Sequence, residues 1–292
     1  MTDHAKSYKT AGAFRVALEA RLQTRAREQG TDLQRLRRQV AFDRFLARMF
    51  SQGPKAAYPW ALKGGYAMEL RMHSARTTKD IDLTLHHGTR LPKNPKERAE
   101  QVRAMLQEAA ASPFDDYFEF LVGEARQDLD GAPEGGNRYP IQARMDGRDF
   151  ARFHVGVGDE VIEPQDLVTG EDWLSFGGVA APFFPIISAE QQFAEKLHAY
   201  TLPRGERVNT RTKDLIDMVL LIRGERLDKD KTAAAVRATF LKRATHEVPK
   251  ELDPPPAEWE AVFDALAKEC DLPMKLREGF EVVREFKKSL EI

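Results

Sequence analysis

The first part of the chain carries apolar residues at the spacing of an α-helix. These residues are Phe14, Leu18 and Leu22, followed by Leu33, Leu36 and Val40. A period of three to four residues places them on one side of a helix, so the pattern predicts helices over residues 13–50. Gly30 and Asp32 predict a break between two of them, because Gly commonly ends a helix and Asp commonly caps the next one.

Shorter apolar runs, separated by Gly, Pro and Asn, follow between about residues 58 and 165. The candidate strands are Ile81–Leu85, Tyr117–Val122, Ile141–Met145 and Phe150–Val157. A helical pattern from Arg98 to Leu106 lies between the first two, and the GAPEGGN stretch at 131–137 predicts a loop. Helices and strands that alternate in this way favour a small α/β or α+β core.

Helical patterns return after residue 186. Ser188 and Gln191 have the spacing of a capping box, and an apolar stripe over 193–200 follows them. A second helix is predicted around Leu215–Ile222, and two more over 257–269 and 273–289. We therefore predict three parts: an N-terminal helical segment over 1–57, a core over 58–185 and a C-terminal helical domain over 186–292.

Composition narrows the class of protein only moderately. The 292 residues include 42% hydrophobic and 31% charged residues, which is typical of a folded globular chain. The single cysteine, Cys270, excludes an internal disulfide and a multi-cysteine zinc site. The polar first ten residues and the lack of an apolar run of ~20 residues lead us to expect a cytoplasmic protein without a membrane span.

Positive charge is concentrated locally rather than over the whole chain. The formal net charge is −1, yet the segment from Arg15 to Arg48 holds nine arginines against four acids. Two interpretations stay open for this segment: a solvated helical face, or a ridge that contacts RNA phosphates.

The most informative stretch for chemistry is the candidate strand that contains Asp80 and Asp82. Side chains alternate along a strand, so both carboxylates face one way while Ile81 and Leu83 face the other. Paired carboxylates repel each other unless a cation lies between them, and Mg²⁺ prefers such oxygen ligands. By itself the D-x-D pattern is weak, because it also occurs on solvent-facing strands.

Gly64 and Gly65 strengthen this interpretation. They follow an apolar run that ends at Lys63 and precede a helix-compatible segment. A glycine turn at a helix N-terminus exposes backbone amides that bind phosphate, although a plain strand-to-helix turn has the same pattern. A phosphate chain on this turn could meet cations held by the aspartates downstream.

Four motifs in a fixed order resemble one known family. LKGG, R-T-x-K-D-I-D-L, EKLHA and R-T-K-D-L-I-D-M, between residues 58 and 223, are similar to motifs of the AbiEii/AbiGii toxin family. That family includes the MenT toxins and belongs to the polymerase-beta-like nucleotidyltransferase superfamily. The resemblance implies an α+β fold, in which a core with a mixed sheet and flanking helices is joined to an N-terminal helical segment and a C-terminal helical bundle. The resemblance implies a Mg²⁺-dependent transfer of nucleotides, with Mn²⁺ as a substitute, from an NTP to RNA, in particular to the tRNA 3′ end. It also implies a toxin of a type IV toxin–antitoxin or phage-defence pair, with an antitoxin that carries a winged-helix part.

The resemblance assigns roles residue by residue. The implied catalytic residues are Lys63, Asp80, Asp82, Lys196 and Asp214, of which Asp80 and Asp82 bind the metal. The implied nucleotide-binding residues are Gly64, Gly65, Tyr66, Arg76, Thr78, Lys79 and Lys213. From the residues alone, Lys196 could equally be a lysine that extends to water beside an apolar stripe, and Asp214 an ordinary acid near a helix start.

Two positions depart from the family pattern. Tyr66 stands where Ser or Thr usually follows the glycine pair, which puts the hold on the terminal phosphate in question. His154 occupies the place of an expected third acid, so His154 or nearby Asp159 is the candidate third metal ligand. The two departures make an inactive nucleotide-binding regulator conceivable. Two further alternatives stay open: a nucleotidyltransferase acting on a small molecule, and a purely structural interaction protein.

Overall fold

The computed structural model describes most of the chain, in eight segments. The described residues are 8–51, 60–72, 76–86, 89–127, 137–158, 164–205, 208–224 and 227–292. They form two compact units. The first draws on residues up to 62, 79–159 and 167–186, and the second on residues 63–78, 160–166 and 187–292.

Two helices open the first unit. Helix α1 spans Ala11–Gln29 and α2 spans Leu33–Met49. Gly30 ends α1 in the left-handed conformation, and the Asp32 side chain accepts a hydrogen bond from the backbone of Gln34 at the start of α2. The break predicted from Gly30 and Asp32 is therefore confirmed, with the expected capping chemistry.

A mixed sheet forms the centre of the first unit. Its strands are β1 (Trp60–Lys63), β2 (Ile81–Leu85), β3 (Phe118–Val122), β4 (Arg126–Gln127), β5 (Asn137–Met145), β6 (Arg148–Gly158), β7 (Gln165–Thr169) and β8 (Phe183–Ile187). In the described part of the chain they are ordered β3-β5-β6-β2-β1-β8-β7, with β4 beside β5. The β2–β6 and β1–β8 pairs are parallel, whereas β3–β5 and β5–β6 are antiparallel. The predicted α+β class is confirmed.

The four predicted strands all exist, and their boundaries differ in an informative way. Ile81–Leu85 agrees with β2, while β5 and β6 are longer than predicted and meet in a tight turn at Asp146 and Gly147. Strands β7 and β8 were not predicted, because their short runs carry no clear alternation. Of the predicted loop at 131–137, residues 131–136 lie outside the described residues, and Asn137 already belongs to β5.

Most arginines of α1 and α2 with recorded contacts serve the fold. Arg44 and Arg48 are buried, and each binds the carboxylate of Asp116, at 2.7 Å. Arg37 binds Glu19, and Arg15 donates to the backbone carbonyls of Met145, Arg148 and Asp149. Neither interpretation from the sequence anticipated this internal use of the arginines. Helix α4 (Pro95–Ala110) also packs on this unit, against β3.

The second unit is mainly helical. It contains α3 (Gly64–Arg71), α5 (Ala189–Thr201), α6 (Thr212–Gly224), α7 (Lys229–Arg243), α8 (Glu260–Glu269) and α9 (Leu276–Lys288). Ser188 caps α5 by accepting a hydrogen bond from the backbone amide of Gln191, as the sequence predicted. The reciprocal bond of the predicted capping box does not form, because the Ser188 amide donates to the carbonyl of Pro164 instead. One apolar core joins these helices and includes Phe193, Leu197 and Phe263. None of the described helices combines the length and apolar character needed to span a bilayer.

Candidate active site

The first unit brings the two predicted metal ligands beside strand β6. Asp80 immediately precedes β2 and Asp82 lies within it, where Asp82 is the register partner of Gly156. A Cβ atom placed on Gly156 would lie 2.8 Å from Oδ1 of Asp82. The space that the Asp82 carboxylate occupies therefore depends on the absence of a side chain at position 156.

Asp80 is surrounded by nitrogen donors from the neighbouring strands. Nδ1 of His154 lies 3.3 Å from Oδ1 of Asp80, and the His154 backbone amide donates to the same oxygen. Arg138 of β5 binds the other oxygen at 2.9 Å. The structure thus brings His154 to Asp80, whereas Asp159 lies outside the described residues.

The donor set around Asp80 and Asp82 suits a metal that is shared with a substrate. The described residues contain no group of three or more His, Cys, Asp or Glu side chains placed to hold an ion. Mg²⁺ commonly takes only one or two protein carboxylates and fills its other positions with water and phosphate oxygens. Two half-buried carboxylates at alternate positions fit that requirement, with room beside Asp82 that Gly156 provides.

The glycine turn belongs to the second unit. Gly64 begins α3 with φ of 70°, a left-handed conformation that side chains make costly. Gly65 packs against Thr78, whose Oγ1 would lie 2.8 Å from a Cβ at that position. The Thr78 amide in turn donates to the carboxylate of Glu69. The first amides of any helix have no partner within the helix, so the amides of this turn can donate hydrogen bonds to phosphate oxygens.

Two predicted site residues next to the turn are held by the protein itself. Nζ of Lys63 lies 3.4 Å from Oε2 of Glu195. Tyr66 is only 2% exposed and belongs to the core of the unit. A large buried ring therefore stands where the family pattern has a small side chain with a hydroxyl group. Of the other predicted nucleotide contacts, Lys79 and Lys213 are exposed.

Lys196 lies in a buried network of charged side chains. Its Nζ is 3.1 Å from Asp214 and 2.7 Å from Asp217. Asp217, which is fully buried, also accepts two hydrogen bonds from the guanidinium of Arg76, at 3.0 and 2.8 Å. Arg76, predicted to bind nucleotide, therefore contacts Asp217 in this structure.

Opposite charge outweighs burial in this network. Burial alone would lower the pKa of Lys196, but the carboxylates of Asp217 and Asp214 hold that pKa above its ordinary value. Burial would likewise raise the pKa of Asp217, yet Lys196 and Arg76 hold that pKa below the ordinary 3.8. Both groups are thus charged at neutral pH, and the lysine has a fixed position.

Sequence reasoning did not assign site roles to three residues that the geometry places against the predicted site. Asp217 fixes Lys196, Gly156 makes room for Asp82, and Arg138 binds Asp80. The spacing of Asp217 three residues after Asp214 was the available signal for the first. Nothing local to the sequence connects Gly156 or Arg138 with β2.

Comparison with protein families decides the identity of the chain. Residues 44–282 match the family described as nucleotidyl transferase AbiEii toxin, type IV TA system. The chain belongs to the AbiEii family. It is thus a nucleotidyltransferase toxin of the type IV toxin–antitoxin class, and the resemblance drawn from the four motifs is confirmed.

A solved structure supports the fold of this AbiEii protein. The chain is similar to MenT4, a nucleotidyltransferase toxin from Mycobacterium tuberculosis H37Rv, with a TM-score of 0.56 and 16% sequence identity. The similarity covers 94% of this chain and 98% of that one. None of the curated proteins with which the sequence was compared matches it.

Proposed function

We propose that this AbiEii protein joins nucleotides from an NTP to the 3′ end of an RNA, tRNA in particular, in a Mg²⁺-dependent reaction that releases pyrophosphate. The observation that carries the proposal is the pair Asp80 and Asp82, the first immediately before β2 and the second within it, beside His154 and Gly156 of β6. Family membership supplies the reaction class, and this pair supplies the groups that the reaction needs.

Each group of proposed site residues has its own task. The backbone amides at Gly64 and Gly65 hold phosphates of the NTP, since they begin a helix and need no positive side chain. Asp80 and Asp82 hold Mg²⁺, with His154 or Asp159 as a further ligand and Mn²⁺ as a possible substitute. When bound, the ion offsets negative charge on the phosphates and helps to orient them.

The transfer itself is an in-line displacement. A hydroxyl oxygen of the acceptor forms a bond to the α-phosphorus of the NTP, and the bond between the α-phosphorus and the bridging oxygen breaks. The electron pair of that bond leaves with pyrophosphate, and the hydroxyl proton passes to a carboxylate of the pair or to water. Positioning and electrostatics provide most of the acceleration in such reactions.

Basic side chains also have proposed roles. Lys63 and Lys196 offset charge on the triphosphate, and Asp214 keeps Lys196 in place, as their 3.1 Å contact supports. Thr78, Lys79 and Lys213 are proposed nucleotide contacts. For Tyr66 and Arg76, which are buried, we propose an indirect contribution through the glycine turn and through Asp217.

The family also implies a partner protein. A type IV toxin has a cognate antitoxin, and we propose that the antitoxin of this chain carries a winged-helix DNA-binding part. Within the cytoplasm, the toxin would slow growth or limit phage replication by disabling tRNA. The antitoxin would relieve that effect by suppressing either the activity or its consequence.

Incubation of the purified protein with total RNA, Mg²⁺ and one labelled NTP at a time tests the proposal. We expect label in an RNA band with one or two of the four nucleotides, and no label when EDTA replaces Mg²⁺. The Asp80→Ala variant is the matched control, since it removes one proposed ligand. If no RNA is labelled with any nucleotide by the active preparation, the RNA part of the proposal is wrong.

A second arm separates RNA from small acceptors. Aminoglycosides and nucleosides in place of RNA should give no labelled product and no pyrophosphate above background. Pyrophosphate release with a small acceptor but not with RNA would identify the protein as a small-molecule nucleotidyltransferase. NTP binding without release in either arm would instead favour an inactive regulator.

A further inference from the structure

Five basic side chains line one cavity of about 770 Å³ in the first unit. They are Arg38, Lys79, Arg126, Arg138 and Arg152. Among the described residues that line this cavity, Asp80 provides the only carboxylate. We call these five side chains the arginine pocket. The whole chain has a net charge of −1, so the pocket is a local excess of positive charge directly at the proposed catalytic aspartate.

The alternation of β5 and β6 explains why strand residues of the pocket are available. Tyr139 and Ile141 of β5 are buried, whereas Arg138, which precedes Tyr139, is only half-buried. Likewise Phe153 of β6 is buried and Arg152 is exposed. One side of these strands therefore serves the hydrophobic core, and the other presents guanidinium groups to solvent.

The register of the sheet separates the arginines of the pocket along the strand direction. Arg138 pairs with Arg126 of β4 at one end, and Arg152 pairs with Gln142, four positions further along β5. Four residues of a strand span roughly 13 Å. A single phosphate group cannot bridge such a span, whereas successive phosphates of a nucleic-acid chain can.

The present partner of Arg152 is a weak competitor for a phosphate. Arg152 binds Asp149 on the same strand, and both side chains are largely exposed. Such exposed pairs contribute only about 0.2–1 kcal/mol, so a phosphate can displace them at little cost. Nε of Arg38 is buried and has no hydrogen-bond partner among the described residues. An arginine fork with an unused donor favours an anionic ligand.

We propose that the arginine pocket binds the phosphate backbone of the RNA acceptor and leads its 3′ end to Asp80. The inference rests on the proposed function, and it adds the surface that holds the acceptor. Leu121, 47% exposed in the lining, and Pro140 provide apolar surface against which a ribose or base packs. Contacts of this kind follow the backbone and carry little sequence information.

The test compares two double variants that remove the same charge. Arg126→Gln/Arg152→Gln alters the pocket but leaves the proposed catalytic residues in place. Arg27→Gln/Arg90→Gln removes two exposed arginines outside the pocket lining and is the control. RNA affinity is measured by fluorescence anisotropy over a series of salt concentrations, with melting temperature as the measure of folding.

Each phosphate contact with single-stranded nucleic acid contributes about 0.7 to the slope of log K against log salt. Loss of two contacts should reduce the slope by about 1.4 and the affinity at 0.1 M salt by about 25-fold. The control variant should retain the slope of the unaltered protein. Equal slopes for all three proteins would overturn the proposal.

Kinetics distinguish the acceptor from the nucleotide as the ligand of the pocket. We expect the pocket variant to raise KM for RNA and to leave KM for the NTP unchanged. A rise in KM for the NTP alone would assign the pocket to the triphosphate and reject the inference, while the proposed function would stand. Because RNA binding is measured without turnover, a failure of the transfer reaction does not affect this result.

Discussion

Lys196 and Arg76 share the carboxylate of Asp217, whose Oδ2 lies 2.7 Å from Nζ of Lys196 and 2.8 Å from the Arg76 guanidinium. Asp217 is completely buried, so water cannot take the place of its carboxylate beside Lys196 and Arg76 without a cost in free energy. Asp214, at 3.1 Å from the same lysine, is slightly exposed. One carboxylate thus anchors Lys196 to the core, and the other reaches it from the edge of the network.

Asp217→Asn should affect folding more than Asp214→Asn does. The first change leaves two buried cations without their shared anion, which costs about 3–5 kcal/mol of unfolding free energy. The second removes a partly exposed partner and should cost about 1–2 kcal/mol. Urea unfolding followed by circular dichroism measures both values.

The loss of nucleotide transfer should not follow the order of these losses in unfolding free energy. Asp214→Asn is expected to lose most of its activity at a temperature where it is fully folded, because Asp214 is the proposed catalytic carboxylate. If Asp214→Asn transfers nucleotide at the normal rate, Asp214 is only a structural partner of Lys196. Arg27→Gln, at an exposed position, serves as the control for both measurements.

The same network predicts how stability depends on pH. The pKa of Asp217 is lowered below 3.8, so its contribution is present above about pH 3.8 and is lost as the pH falls through the folded-state pKa. The pKa of Lys196 is raised above 10.5, so its contribution is present below that pH and is lost only at still higher pH. The stability difference between the unaltered protein and Asp217→Asn should therefore stay constant between pH 5 and 9. A difference that changes within this range would contradict the assigned charges.

Asp80→Ala should abolish nucleotide transfer and preserve the fold. Asp80 is half-buried, and its recorded partners are Arg138 and His154, so its loss should cost little stability. Loss of a charge-positioning group in a transfer reaction commonly reduces the rate by about 10²–10³-fold or more. A labelled-NTP assay measures the loss of transfer, and a melting curve measures whether the fold is preserved. Retained activity would contradict the proposed metal site.

Gly156→Ala tests the space beside Asp82 without altering any polar group. The new methyl group would lie 2.8 Å from Oδ1 of Asp82, so that carboxylate must rotate away. A rotation of this kind costs about 0.5–1.5 kcal/mol, whereas displacement of a reacting group by ~1 Å can reduce the rate about 100-fold. We expect a nearly normal melting temperature and a large loss of transfer.

A matched change at Ala151, on the same strand, provides the control for Gly156→Ala. Ala151→Gly makes the opposite change of one methyl group on β6 and lies far along the strand from Gly156, the partner of Asp82. This variant should keep its transfer rate. If Gly156→Ala is fully active, the carboxylate of Asp82 does not need its observed position.

The sequence alone determined the local features of this protein. Alternation predicted that Asp80 and Asp82 lie two positions apart at the start of a strand, and the bounds of that strand, Ile81–Leu85, were predicted correctly. Gly30, Asp32 and Ser188 predicted helix ends because capping depends on residues only a few positions away. Four short motifs in order indicated the family, although the roles of the individual site residues and the domain boundaries stay predictions.

Only the tertiary structure decided which residues contact one another over long separations. Arg76 and Asp217 lie 141 residues apart, Arg44 and Asp116 lie 72 apart, and Asp80 meets His154 across 74 residues. Periodicity reports which side of a helix or strand is buried, but not which charge of opposite sign is buried with it. That choice depends on the order and register of the strands and on how the helices pack, and it turned arginines expected at the surface into partners of buried carboxylates.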